Sequence, residues 1–123
     1  MLDKLIFDFS YFNDASIFID KKVYFHKRAQ LLLSDIHENH TPLKDSYNLT
    51  ACADYKLPQV FRKLNIFKYS YDLEYKINNK IPLEKNSQEE IEIRANTIWV
   101  VKELFLFTGI EQRKINDYLW LMA

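Results

Sequence analysis

The carboxylate best placed for chemistry is Asp54, which lies between Ala53 and Tyr55 in a short turn flanked by two apolar segments. A carboxylate in such a turn is expected to be partly buried, and burial of an unpaired charge is costly. It therefore needs a partner, and the preceding segment offers Lys27 and Arg28. Asp54 is either a catalytic carboxylate or a structural aspartate that caps the next helix or pairs with a base. Spacing alone favours the structural interpretation.

The histidines and the single cysteine give weaker signals. His37 and His40 could face one way on a helix and bind a metal, but catalytic zinc usually has three protein ligands and no third ligand is apparent. We therefore interpret them as solvated residues at a helix end. Cys52 lies in an Ala-Cys-Ala setting without an obvious histidine partner, so we interpret it as a buried structural thiol. No metal and no other cofactor is predicted.

Charge and glycine content narrow the class of ligand. Seventeen Lys and Arg residues balance seventeen Asp and Glu residues, so the formal net charge is zero. The broad basic field that non-specific binding to duplex nucleic acid or anionic membranes requires is therefore missing, and a small molecule is the expected ligand. The single glycine, Gly109, excludes the glycine-rich phosphate loops of Rossmann and P-loop proteins, which need several glycines close together.

Length and composition predict one helical domain over residues 1–123, since a hydrophobic content of 48% suffices for one core. Acidic residues interrupt the apolar start at Met1–Asp8, which therefore looks like neither a secretory signal nor a transit peptide. No apolar run reaches the roughly 18 residues that a membrane-spanning helix needs. One cysteine cannot form an internal disulfide, as is usual in a reducing compartment. We expect a cytoplasmic protein.

Hydrophobic periodicity places Asp54 between two helices. Apolar residues recur on one helical face from Val23 to Ile36, which predicts a first helix over that range. The apolar turn Ala51–Ala53 follows, and the proline at position 58 predicts a chain break just before a second helix over Pro58–Leu64. Asp54 should therefore lie at a helix-to-helix junction.

The clearest helix signal lies nearer the C-terminus. Ser87–Glu90 is a capping box, in which the serine hydroxyl and the glutamate satisfy each other's free backbone amides. Apolar residues cover two faces from Ile91 to Phe107, which predicts a central helix packed on both sides and ending before Gly109. Weaker patterns predict a helix capped by Ser70, a last helix over Ile115–Met122 and a hairpin within Ser16–Phe25. The predicted fold class is mostly α, with one small hairpin near the N-terminus.

Three segments of the chain stand out together: Val23–Leu32 (VYFHKRAQLL), Leu49–Val60 (LTACADYKLPQV) and Glu90–Ile98 (EIEIRANTI). In this order and spacing they resemble the queuosine salvage protein family, the queuosine nucleoside glycosylases. Shorter matches extend the likeness over nearly the whole chain, at Phe12–Ser16, Lys68–Ser70 and Asp117–Trp120. Members of that family are considerably longer and carry an N-terminal half that has no counterpart here. We expect this chain to correspond to their C-terminal part.

The resemblance implies a helical fold like that of DNA glycosylases and hydrolysis of the N-glycosidic bond of queuosine or its 5′-monophosphate. The product would be queuine, which a transglycosylase inserts into tRNA. On the family pattern Asp54 is the catalytic carboxylate and Lys27 belongs to the substrate site, which reverses the interpretation that spacing favours. Tyr55 is expected to form an aromatic wall for the base, unless it fills the core. Arg94 is interpreted as a residue that forms a structural ion pair.

Other functions stay open beside a hydrolase that uses Asp54. The chain could be a non-catalytic helical binding module, or a fragment of a longer or split enzyme that a partner chain completes with the missing N-terminal half. The many aromatic residues favour such a partner, because an incomplete domain exposes surface that the absent part covers. Zero net charge and the lack of a glycine-rich hairpin motif argue against a DNA glycosylase proper. The preference for nucleoside or monophosphate, the activity of the chain alone and its oligomeric state are left open.

Overall fold

A computed structural model describes residues 1–123 except the side chain of Tyr47. The helices are α1 (Leu2–Asp8), α2 (Lys27–Asn39), α3 (Lys56–Lys63), α4 (Tyr71–Asn78), α5 (Gln88–Thr108) and α6 (Gln112–Leu121), and the strands are β1 (Ala15–Phe18) and β2 (Lys21–Tyr24). None of the helices in the described part of the chain is both long enough and apolar enough to cross a membrane. The predicted fold class, mostly α with a small N-terminal hairpin, is confirmed. The likeness to DNA glycosylases stays a prediction.

The N-terminal hairpin pairs β1 with β2 in antiparallel register, with Ala15 opposite Tyr24. Ile19 and Asp20, which join the strands, both have positive φ, at 46° and 60°. Two successive left-handed residues are typical of the tight turns whose twist matches that of the flanking strands. The hairpin therefore forms where the sequence predicted it, beginning at Ala15, one residue before the predicted range.

The first long helix begins later than periodicity predicted, at Lys27 instead of Val23. Val23 pairs with β1 as part of β2, and the backbone N–H groups of Phe25 and His26 both donate to the carbonyl of Asp14, at 2.9 and 3.1 Å. His26 has a left-handed backbone, with φ 48° and ψ 36°, which turns the chain from the strand into α2. The apolar pattern before Lys27 thus belongs to strand pairing, which overrides the helical periodicity.

The main core lies where α3 meets α5 and α6. Its buried side chains come from these helices and from the loop before α3: Ala51, Leu57, Val60, Phe61, Val101, Ile115 and Leu119. A smaller cluster joins Phe25, Ala53 and Ile91, and Ile98 of α5 packs against both clusters. Because burial of apolar surface is the main favourable term in folding, these contacts fix the loop that carries Asp54 between α5 and α6.

The long helix α5 is not packed on both sides, so the prediction of a central helix with two buried faces is wrong. The buried residues of α5 are Ile91, Thr97 and Val101. Leu106 is exposed, and Phe107 is 91% exposed. Half of the shorter helix α3 is buried, at Leu57, Pro58, Val60 and Phe61. One side of α5, which includes Ile98 and Val101, contacts the core, and the side that includes Trp99 and Leu106 lies on the surface.

The predicted caps lie at three helix ends: the start of α4 and both ends of α5. Gly109 ends α5 with the expected left-handed backbone, at φ 71°, and the Ser70 hydroxyl accepts a hydrogen bond at the start of α4. The capping box of α5 is only half formed. The Ser87 hydroxyl accepts from the backbone N–H of Glu90 at 3.3 Å, but the Glu90 carboxylate accepts from the N–H of Asn86 at 3.1 Å instead of from Ser87.

Candidate active site

Asp54 lies in the loop between α2 and α3, two residues before α3 begins, and its side chain is 7% exposed. Oδ1 accepts a hydrogen bond from the backbone N–H of Lys56 at 2.9 Å. Oδ2 accepts one from the indole Nε1 of Trp120, on α6, at 3.2 Å. The carboxylate is buried at a helix-to-helix junction, as the sequence predicted. Its contact with Lys56 is also the helix-capping contact that the structural interpretation anticipated.

Lys27 reaches the same carboxylate from the first turn of α2. Its Nζ lies 3.9 Å from Asp54 Oδ2, which is an ion-pair distance but longer than a direct hydrogen bond. The two residues come from separate segments of the resemblance, and the structure brings them together. Their chemical roles stay predictions.

Two clefts open on either side of Asp54. The larger, the α3–α5 cleft, has a volume of about 590 Å³ and includes Arg62, Tyr69 and Arg94 in its lining. The smaller, the α2–α6 cleft, has a volume of about 520 Å³ and includes Leu31, Asp117 and Trp120. Lys27, Asp54 and Tyr55 line both clefts. Each volume falls in the range of small-molecule sites, so a ligand that extends on both sides of the carboxylate can be accommodated.

Tyr55 lies next to Asp54 at the mouth of both clefts. Its side chain is 70% exposed, so the alternative that Tyr55 fills the core is wrong. An exposed aromatic ring beside two clefts is suited to stacking on a planar base. Contact between Tyr55 and a base stays a prediction.

Arg94 forms ion pairs, as interpreted from the sequence, and also holds the loop before Asp54. Its terminal nitrogens bind both carboxylate oxygens of Asp14, and its Nη1 lies 3.6 Å from the Glu90 carboxylate. Its Nε donates to the backbone carbonyl of Ala53 at 3.2 Å. Burial alone would raise the pKa of the Asp14 carboxyl, but the hydrogen bond and charge of Arg94 hold that pKa below its usual value.

The surroundings of Cys52 and His37 indicate that both residues have structural roles. Burial, with the nearby carboxylates of Asp117 and Asp54, raises the pKa of the Cys52 thiol to about 12, so the interpretation of a buried thiol is confirmed. His37 Nδ1 accepts a hydrogen bond from the backbone N–H of Leu43 at 2.8 Å, which ties down the chain beyond α2. The described residues contain no cluster of three or more side chains arranged to hold a metal ion.

Trp120 contributes to this site although no role was predicted for it from the sequence. It contacts Asp54 across 66 positions of the chain, and the Lys56 ammonium lies 3.5 Å from the centre of its ring. The one signal in the sequence was its place in Asp117–Trp120, a shorter segment that contributes to the resemblance. No rule of local spacing connects residues so far apart.

Comparison with known sequences identifies relatives of the whole chain. A profile of the queuosine salvage protein family matches residues 1–120. A queuosine 5′-phosphate N-glycosylase/hydrolase of Sphaerobacter thermophilus is 40% identical over 101 residues, which cover 78% of this chain and 31% of that protein. The protein of the same name from Dictyostelium discoideum is 36% identical over 98 residues, covering 76% and 30%. The one from Nematostella vectensis is 32% identical over 123 residues, covering 96% and 35%.

The chain thus spans about a third of the length of these curated relatives. The match nevertheless includes the loop that carries Asp54, the start of α2 and the helix that carries Trp120. The chain belongs to the queuosine salvage protein family.

Proposed function

We propose that this chain forms the C-terminal, helical domain of an enzyme that hydrolyses the N-glycosidic bond of queuosine 5′-phosphate, with Asp54 as the catalytic carboxylate. The observation that carries the proposal is the buried Asp54 carboxylate beside the Lys27 ammonium, at the junction of two clefts. The names of the relatives state this substrate and reaction for those proteins. By the complete enzyme we mean this chain together with the remaining family sequence, joined in one polypeptide or assembled from two.

The reaction needs an oriented carboxylate at the anomeric carbon. Departure of the base leaves an oxocarbenium-like sugar, which Asp54 stabilises either by bonding to the anomeric carbon or by activating a water molecule. In both cases the glycosidic electron pair leaves with the base, the oxygen of water ends on the sugar, and the proton that water loses balances the charge of the base. Hydrogen bonds to both oxygens of Asp54 hold its carboxylate in place for these steps.

The departing base is the harder problem. A 7-deazaguanine has carbon where guanine has N7, so the usual site of protonation is absent and the base must be stabilised through its other edges. Stacking on an aromatic ring beside the anomeric carbon serves this purpose, and Tyr55 is the proposed wall. Further contacts to the base are assigned to the part of the family sequence that this chain does not span.

Lys27 is the proposed substrate-binding cation. Its Nζ is 3.9 Å from Asp54 Oδ2, and the residue lines both clefts, so it is within reach of an anionic group bound in either. It can therefore hold the carboxylate in place, contact the 5′-phosphate of the substrate, or do both. Only contact with the phosphate depends on the 5′-phosphate group. Comparing queuine release from queuosine and from its 5′-phosphate by a Lys27→Met enzyme therefore separates the two roles.

A second candidate function is a non-catalytic module that binds a partner chain. Exposed apolar side chains at and just after the C-terminal end of α5 favour it, because Leu106, Phe107 and Ile110 are each at least half exposed, as surface that a partner covers would be. We call these three residues the α5 apolar surface. In an assembled enzyme the same surface contacts the remaining family sequence. Both candidate functions therefore predict assembly with a partner, and only the hydrolase predicts turnover of substrate.

The experiment measures queuine release from queuosine and from its 5′-phosphate. The chain alone and the complete enzyme are compared, each with and without the substitution Asp54→Asn. The proposal expects release by the complete enzyme that depends on Asp54. A complete enzyme that binds substrate without releasing queuine supports the non-catalytic module instead.

A further inference from the structure

The contact between Trp120 and Asp54 differs in kind from the other contacts to this carboxylate. An indole N–H donates a hydrogen bond, but it neither accepts one nor ionises near neutral pH. Lys27, in contrast, carries a full charge and stands farther from Asp54, at 3.9 Å. Trp120 therefore supplies Oδ2 with a neutral donor of fixed direction at 3.2 Å.

The indole ring of Trp120 is oriented by specific contacts more than by burial. Trp120 is 41% exposed. The Lys56 ammonium lies 3.5 Å from its ring centre, which is well within the range of a cation–π contact. The same Lys56 donates its backbone N–H to Asp54 Oδ1. Lys56 thus fixes one oxygen of the carboxylate directly and, through Trp120, orients the donor to the other.

The helix that carries Trp120 is itself held against the Asp54 loop. Ile115 and Leu119 of α6 are buried in the main core. Between them, the Asn116 side chain accepts a hydrogen bond from the backbone N–H of Cys52 at 2.9 Å, two residues before Asp54. Because α6 is anchored to this loop, the distance between the indole and the carboxylate is set by packed structure.

We infer that Trp120 is a positioning residue for Asp54, and that with the Lys56 backbone N–H it holds the carboxylate in one orientation between the two clefts. This inference rests on the proposed function of Asp54. A carboxylate that already points at the anomeric carbon avoids the cost of reorientation during the reaction. Loss of the indole donor therefore lowers the rate of the chemical step, whereas loss of a stacking surface for the base would weaken binding.

A first test uses the chain itself and requires no activity. Trp99 and Trp120 are its only tryptophans, so a proton–nitrogen correlation spectrum contains two indole N–H signals, and Trp99→Phe identifies which is which. Asp54→Asn should displace the Trp120 signal and leave the Trp99 signal in place. An unchanged Trp120 signal contradicts the hydrogen bond and overturns the inference, whatever the enzyme does.

A second test measures kcat and KM for queuine release by the complete enzyme. Trp120→Phe keeps an aromatic ring but removes the donor, and it should lower kcat about 10- to 100-fold with little change in KM, as expected for a lost hydrogen bond to a charged group. Trp99→Phe makes the same chemical change on an exposed part of α5 and should alter neither constant. A Trp120→Phe enzyme with normal kcat, or with only a raised KM, contradicts positioning.

Two further variants leave Trp120 in place. Lys56→Met removes the cation from the indole face and should lower kcat, and Lys56→Arg should restore most of it, since a guanidinium also binds that face. Equal kcat values for the two variants contradict a role of the cation in orienting the indole. Asp54→Asn is measured in parallel. If the Asp54→Asn enzyme keeps full turnover, the proposed function is wrong. If Asp54→Asn abolishes turnover but Trp120→Phe leaves kcat normal, only the positioning role of Trp120 is refuted.

Discussion

Arg94 donates a hydrogen bond through Nε to the backbone carbonyl of Ala53 at 3.2 Å, directly before Asp54 in the chain. Its terminal nitrogens hold the carboxylate of Asp14, just ahead of the hairpin. One guanidinium on α5 therefore connects the N-terminal segment to the loop that carries the proposed catalytic carboxylate. The geometry of the site depends on this long-range contact as much as on the local sequence around Asp54.

Removal of the Arg94 guanidinium should destabilise the fold. Arg94→Met removes the guanidinium that binds both the Asp14 carboxylate and the Ala53 carbonyl, and a loss of about 1–3 kcal/mol is expected for such groups. The control is Arg62→Met, since Arg62 pairs with Glu74 nearer the surface and exposed pairs contribute about 0–1 kcal/mol. Urea unfolding at neutral pH measures both. Equal losses would contradict a special role for Arg94.

The contribution of Arg94 should also depend on pH. Arg94 holds the pKa of the Asp14 carboxyl below its ordinary 3.8. Stabilisation from such a lowered pKa is fully present above the ordinary value and is lost as the pH falls through the value in the folded protein. The difference in unfolding free energy between wild type and Arg94→Met should therefore shrink below about pH 4. A difference that stays constant down to about pH 2.5 would contradict this linkage.

Burial predicts opposite outcomes for two phenylalanines. Phe61 of α3 is fully buried in the main core, so Phe61→Ala should cost about 3–5 kcal/mol. Phe107 of α5 is on the surface, so the same change should alter stability by no more than about 0.5 kcal/mol. Ile98 packs against both core clusters, so Ile98→Ala should lower the free energy of unfolding by about 2–5 kcal/mol. Chemical unfolding of the three variants tests the core assignment, and similar midpoints for Phe61→Ala and Phe107→Ala would refute it.

The sequence predicted the features that depend on local rules. The caps at Ser70 and Gly109 follow from the backbone preferences of serine and glycine. The approach of Lys27 to Asp54 was expected from the resemblance, because both segments belong to one family pattern. Periodicity around them indicated the helices that flank Asp54, although the second begins at Lys56, two residues earlier than predicted.

The sequence misled where a pattern had two physical causes. Apolar residues before Lys27 fit a helix, but pairing of Val23 with Ser16 in the hairpin decided their conformation. Apolar residues on the outer face of α5 look the same whether they pack in a core or lie on a surface that another chain segment covers. Trp120 could not be connected to Asp54 from the sequence, since only the packing of α6 brings them together.

The α5 apolar surface should matter for assembly and not for the stability of this chain. Phe107→Glu places a charge at its centre, which should weaken association with the remaining family sequence about 10-fold or more when that sequence is supplied as a separate chain. Tyr71→Glu, at an exposed aromatic residue of α4, is the matched control and should leave association unchanged. Sedimentation measures both, and equal association of the two variants would contradict the assignment of this surface.

The central claim is that Asp54 is the catalytic carboxylate, and its most direct test is queuine release from queuosine 5′-phosphate by the complete enzyme with and without Asp54→Asn. The amide keeps shape but removes the charge that stabilises the oxocarbenium-like sugar, so kcat should fall at least about 100-fold while folding and substrate binding persist. Asp20→Asn, at the exposed hairpin turn, makes the same change where asparagine is well tolerated and should keep full turnover. Near-normal release by the Asp54→Asn enzyme would show that the carboxylate only caps α3 and pairs with Lys27.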